Sequence, residues 1–156
     1  MRLSRIATII PDAPAQMPAV TLRRYALLDR GSYLHADDVP PPAGALALAQ
    51  TTTDRALRIA STRLLVFEPG DYLLAHHDPL HGDHRVELIY DLSPAPAPSQ
   101  VRYRRGRGAV FFVFPCTPGA ACVVERDPTT QSYHTYVSRL HAGASIVRLV
   151  IQLVDT

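Results

Sequence analysis

No lysine occurs anywhere in this sequence: all sixteen of its basic residues are arginine, against fourteen acidic residues, for a net charge of +2. With no dominant basic run, the cluster Arg102, Arg104, Arg105 and Arg107 is read as the solvated face of a strand, and nucleic acid is not expected as a partner. Cysteine is scarce. Cys116 and Cys122 are the two, too few for a disulfide framework and without the CxxC spacing of a metal ribbon. Long apolar runs are missing as well: the longest, Ala109 to Phe114, is far short of the roughly 18 residues a membrane helix needs. At the start, Arg2 and Arg5 precede only the short stretch Ile6 to Ile10, which Pro11 and Asp12 end; that is too short for a signal peptide. A cytoplasmic location without membrane association is the expectation.

What is there is ordinary globular material. The chain has 156 residues, 47% of them hydrophobic and 19% charged, which excludes disorder, a collagen-like fibre and a coiled coil and suits one domain. Its fourteen prolines punctuate it. Two Ala/Leu-rich stretches, Ala19 to Leu28 and Ala43 to Ala60, flank the breaker Asp37-Asp38-Val39-Pro40-Pro41-Pro42 and predict two helices, the second about four turns long. Beyond residue 60 the pattern changes to short runs rich in Val, Ile, Leu, Phe and Tyr between Gly, Pro and Asp turn signals. These are Arg63 to Phe67, Tyr72 to Ala75, Arg85 to Leu92, Val101 to Tyr103, Ala109 to Phe114, Ala121 to Glu125, His134 to Leu140 and Ile146 to Val154. Such spacing predicts a sandwich or barrel, most simply a jelly roll, with 1–60 as helical support and 61–156 as its core.

Chemistry concentrates in one place. Within 75–84 stand His76, His77, His81 and His84, four of the seven histidines, with Asp78 and Asp83. His76 and Asp78 are two apart at the end of a strand-like run, so the period of two puts them on one face. A strand presenting His-x-Asp supplies two of the three ligands of a facial triad; the third must come from a distant strand. Two imidazoles and one carboxylate leave three octahedral positions open, which suits a non-haem Fe(II) that binds both a co-substrate and dioxygen. His77, His81, Asp83 and His84 match no closed metal site and read as rim residues.

The stretch Pro69-Gly70-Asp71-Tyr72-Leu73-Leu74-Ala75-His76-His77-Asp78, followed by Arg85-Val86-Glu87-Leu88-Ile89-Tyr90-Asp91-Leu92, resembles the prolyl-hydroxylase-like branch of the Fe(II)/2-oxoglutarate-dependent oxygenases. The likeness runs over roughly residues 43 to 154. It implies a mainly β fold with N-terminal helices, a double-stranded β-helix of the jelly-roll, cupin-like kind. It also implies a distal histidine opening the penultimate strand and a basic residue on the last strand that pairs with the far carboxylate of 2-oxoglutarate. His134 and Arg148 fill those roles, fourteen residues apart where the family usually has about ten. An even difference preserves the facing of both ends. His141 is the rival ligand, but its odd spacing to Arg148 favours His134.

The resemblance therefore implies iron held by His76, Asp78 and His134, 2-oxoglutarate anchored by Arg148, and hydroxylation of a small metabolite or amino acid, with dioxygen as the other reactant. Asp78 argues against a halogenase. Arg85 is a candidate for binding a substrate carboxylate. Phe67 stands where the family often has a co-substrate-binding tyrosine, so the hydroxyl must come from elsewhere: Tyr72 and Tyr90 are candidates, as are Tyr103 and Tyr136. A homodimer is compatible with this reading. Two other readings stay open, a cupin-type metalloenzyme that does not use 2-oxoglutarate and a non-catalytic β-domain that binds a small ligand.

Overall fold

The computed structural model describes residues 6–76 and 85–156; Asp78 lies outside them, and of His76 and Arg85 only the backbone is described. In chain order the elements are β1 (Ala7–Ile10), β2 (Arg23–Leu27), β3 (Gly31–Asp37), α1 (Ala45–Thr53), β4 (Leu57–Phe67), β5 (Tyr72–His76), β6 (Arg85–Asp91), β7 (Gln100–Arg105), β8 (Val110–Pro115), β9 (Ala121–Arg126), β10 (Thr130–His134) and β11 (Ile146–Asp155).

The near-continuous apolar run of β11 marks a strand covered on both faces. It pairs antiparallel with β4 on one side and β6 on the other, and every residue but Asp155 is buried. Around it the sheet runs β1-β9-β6-β11-β4-β3-β5-β10-β7-β8, with β2 added to β3. β3 carries the chain from one layer to the other: Leu34 to Asp37 pair with β4, while Gly31 and Ser32 pair with β5. At Gly31 the backbones come so close that a Cβ would stand 2.8 Å from the Tyr72 carbonyl oxygen, so only glycine fits there. The result is a nearly closed antiparallel barrel of the jelly-roll type.

Alternate residues of β11 feed two cores. Val147, Leu149, Ile151 and Leu153 pack with Ala45 and Ala49 of α1, whereas Ile146 and Val150 face the barrel interior with Phe67, Val101, Tyr103 and Phe114. Arg148 and Gln152 share the parity of the interior set.

The two expected N-terminal helices are corrected to one. Residues 23–27 are a strand, paired from Arg23↔His35 to Leu27↔Gly31; partnering with β3 outweighs the helical preference of Ala and Leu. The second helix stops after nine residues at Asp54, which is left-handed at φ 54°. Thr52 and Thr53 turn their hydroxyls back onto the carbonyls of Leu48 and Ala49, a side-chain bond that competes with helix continuation. Leu57 then begins β4. The last expected strand pair also shifts: β10 begins at Thr130 and ends at His134, because Asp127 Oδ1 accepts from the Thr129 and Thr130 backbone and starts the strand early.

Both cysteines are unbridged, Cys122 fully buried and Cys116 half-buried. Burial pushes each thiol up, with the charge of Glu87 adding to the effect at Cys122. At pH 8 in the native state, a thiol reagent is expected to modify Cys116 slowly and Cys122 not at all, and both promptly in denaturant. Mass spectrometry of the labelled peptides reads this directly, and native labelling of Cys122 would contradict its place in the core. Among the described residues no helix is long and apolar enough to cross a membrane.

Candidate active site

The interior side chains of the barrel fall into three groups. In the first, Arg148 is 0% exposed. Its Nη1 donates to His134 Nδ1 at 3.1 Å and its Nη2 to Ser99 Oγ at 3.3 Å, while Nε has no partner. Phe67 forms the platform: its ring stacks on His134 with centroids 4.9 Å apart and lies 5.7 Å from the guanidinium carbon. Burial holds the guanidinium below its usual range, opposed by the charge of Asp91, its Cα partner across β6. The Asp91 oxygens are occupied by the backbone N–H groups of Ser93 and Thr117. Arg148 is thus a desolvated cation with an unused donor, an arrangement that favours a bound carboxylate.

The second is a buried polar cluster on Glu87 of β6. Its Oε1 accepts from Arg126 Nη1 at 2.9 Å and from Gln152 Nε2, and its Oε2 accepts from the Tyr103 hydroxyl. Arg126 Nη2 also donates to the Thr130 carbonyl at 3.2 Å. Burial first, and then Glu87, pushes the Tyr103 phenol well up, so this tyrosine stays a proton donor.

A cavity of about 500 Å3 is lined by the apolar Leu65, Leu73 and Val150 and by His134, Ser132, Glu87 and Gln152. Asp37, Asp38 and Arg63 line it as well. Arg63 Nε donates to Asp37 Oδ1 at 3.1 Å, and that oxygen is also 3.2 Å from His35 Nδ1. Burial and then the hydrogen bonds from His35 and Arg63 act on the Asp37 carboxyl, with the net result that it lies below the usual carboxylate range.

Of the residues singled out in the sequence, Arg148 and His134 meet. His134 closes β10 instead of opening a strand, and its Cα partner on β5 is Leu73; His76 is paired with Ser132, across a register irregularity. Because Nδ1 accepts from a guanidinium, which can only donate, the ring proton sits on Nε2. The tyrosines go elsewhere. Tyr72 gives its hydroxyl to the Leu28 carbonyl at 2.7 Å, and Tyr90 belongs to the helix-side core. Neither lines the cavity, and Tyr136 is half exposed. His141 is exposed, in the connection before β11. Asp78 and the side chains of His76 and Arg85 lie outside the described residues, among which no three His, Cys, Asp or Glu come together.

Ser99, Glu87, Arg126 and Gln152 were not singled out in the sequence. For two of them a signal existed: Val86-Glu87-Leu88 and Ile151-Gln152-Leu153 each place one polar residue inside an apolar strand, the same pattern that marks Arg148.

No protein-family model matches the chain, and no curated protein matches it. Solved structures do. An oxidoreductase of the 2OG-Fe(II) oxygenase family from Burkholderia pseudomallei superposes with a TM-score of 0.68 at 11% identity, over 86% of this chain and 73% of that one. A prolyl-4-hydroxylase from Pseudomonas putida gives 0.59 at 13% identity, covering 86% and 78%. The non-haem alpha-ketoglutarate-dependent carbocyclase SnoK of nogalamycin biosynthesis gives 0.61 at 11%, covering 86% and 68%. At these identities the likeness is one of fold: the chain has the barrel on which 2OG-Fe(II) oxygenases are built.

Proposed function

We propose that the chain, over 1–156 as one domain, is a cytoplasmic Fe(II)- and 2-oxoglutarate-dependent oxygenase that hydroxylates a small metabolite or amino acid. The observation that supports this best is Arg148, a fully buried guanidinium with an unpartnered Nε inside a barrel shared with that family. A five-carbon diacid whose far carboxylate lies against Arg148 and Ser99 satisfies the unused donor, and Phe67 takes the place of a tyrosine by supporting the guanidinium from one side. The co-substrate fits the residues present.

The metal fits them conditionally. We assign it to His76, Asp78 and His134, but a ring whose Nδ1 accepts from Arg148 carries its proton on Nε2 and is no ligand in that state. Were Nη1 of Arg148 to bond the far carboxylate of 2-oxoglutarate instead, His134 would be able to carry its proton on Nδ1 and offer Nε2 as a ligand. Iron with 2-oxoglutarate would supply the activation of dioxygen. The protein's own part is to hold the diacid by its far end, to keep water from the apolar floor formed by Leu65, Leu73 and Val150, and to aim the substrate carbon. Arg85 remains our candidate for a substrate carboxylate.

The test is anaerobic titration of the protein with Fe(II) and 2-oxoglutarate, followed by the weak visible charge-transfer band of a chelated 2-oxo acid. A band is expected in the wild-type protein. In His134→Ala, Mn(II) affinity measured by electron paramagnetic resonance is expected to fall roughly tenfold or more. Unchanged Mn(II) affinity would remove His134 from the ligand set, and the absence of any band would overturn the oxygenase reading.

A further inference from the structure

Among the polar residues that line the cavity, Gln152 has no task in the oxygenase reading and carries a buried atom without a hydrogen-bond partner. Gln152, 8% exposed, lines the cavity, and its amide orientation is fixed by chemistry: the Glu87 carboxylate can only accept, so Nε2 faces it and Oε1 is turned away. That Oε1 is buried and has no hydrogen-bond partner. A buried carbonyl left without a donor is destabilising, and a ligand N–H or O–H would relieve it.

From this we infer that Gln152 is a specificity-determining residue, and that the cavity takes an apolar small molecule bearing a neutral hydrogen-bond donor, an amide N–H or a hydroxyl, which Gln152 Oε1 accepts. A neutral donor is favoured over an ammonium for reasons of charge. Glu87 is matched by Arg126 and takes three donors. Asp37 is engaged by Arg63 and His35, and Asp38, the remaining acid of the lining, is exposed to water. Leu65, Leu73 and Val150 offer nothing polar to a cation, and desolvating an ammonium beside a lone neutral carbonyl is strongly unfavourable. The inference rests on the oxygenase reading only in calling this molecule the substrate; the donor site is four residues along β11 from Arg148.

Three probes of similar size separate the alternatives: benzamide, a neutral donor; acetophenone, which replaces the amide nitrogen by a methyl; and benzylammonium, a cationic donor. Affinities come from shifts of backbone amide resonances on titration of the whole chain. Benzamide is expected to bind roughly tenfold more tightly than either of the others, the value of one well-made hydrogen bond. In Gln152→Met, with the acceptor gone and side-chain length kept, benzamide is expected to bind no better than acetophenone. Equal binding of benzamide and acetophenone to the wild-type protein, tighter binding of benzylammonium, a benzamide preference that survives in Gln152→Met, or no binding of any probe would each overturn the inference. The wild-type ratio decides alone if the variant does not fold. A parallel titration with 2-oxoglutarate keeps the two ideas apart: lost 2-oxoglutarate binding with the benzamide preference intact sinks the oxygenase reading only, and the reverse sinks only the role of Gln152.

Discussion

Arg148→Met is expected to remain folded while losing 2-oxoglutarate. Removing one member of a buried charge pair between protein and ligand costs about 2–5 kcal/mol, so the dissociation constant should rise by roughly 30-fold at the least and several thousand-fold at the most. The stability of the ligand-free chain should move little, or upward. Its guanidinium has been taken out of water at a cost visible in its depressed pKa. Its return is two hydrogen bonds, to His134 and Ser99, with Nε left over. Methionine fills a similar volume against Phe67 without that penalty. Calorimetric titration with 2-oxoglutarate gives the first quantity and urea denaturation the second. Opposite signs are what identify a binding group, because a residue kept for structure would lose both together. An unchanged 2-oxoglutarate affinity would remove Arg148 from the anchor role.

Glu87→Ala should do the reverse, unfolding the chain far more readily. Glu87 is the common acceptor of Arg126, Tyr103 and Gln152, all of them buried. Alanine would leave a guanidinium, a phenol and an amide each short of a partner inside the barrel. Removing one side of such a buried pair typically costs about 3–5 kcal/mol, a large share of the roughly 5–15 kcal/mol by which domains are stable. Urea denaturation at neutral pH measures it, and Glu87→Gln, which keeps the shape and part of the bonding, should fall between. A loss below about 1 kcal/mol would show that the cluster relaxes or admits water.

Much of the architecture beyond residue 60 is legible in the sequence because short apolar runs between turn signals mark strands. Arg63 to Phe67 and Ile146 to Val154 fall wholly in strands, and Arg85 to Leu92 does so up to Asp91. The N-terminal third misleads for a physical reason. Ala19 to Leu28 and Ala43 to Ala60 have helical composition, yet Leu57-Arg58-Ile59-Ala60 alternate in burial and belong to β4. Pairing with β11 decides the matter, and that partner lies about ninety residues away, where no local window reaches. The site divides in the same way. Arg148 is legible as a charge in an apolar run. The end of β10 is not, because Tyr133 to Val137 is uniformly strand-like while the strand itself stops at His134. His134 then closes the strand and stands beside Arg148.

The alternation of β11 has a bearing on how the chain finds its native pairing. Arg148 and Gln152 stand among residues that would pack equally well from either side, since its apolar neighbours are Val, Ile and Leu throughout. A slip of one residue against β4 or β6 would exchange the two faces and carry both polar side chains into the core beneath α1, where Ala45, Ala49 and Leu64 hold no partner for them. Each misplaced group would cost more than an apolar strand could recover by sliding. The polar residues that we assign to ligands therefore act also as a proofreading pair for the strand itself, so a variant with both replaced by aliphatic residues would lose ligand binding and its unique alignment together.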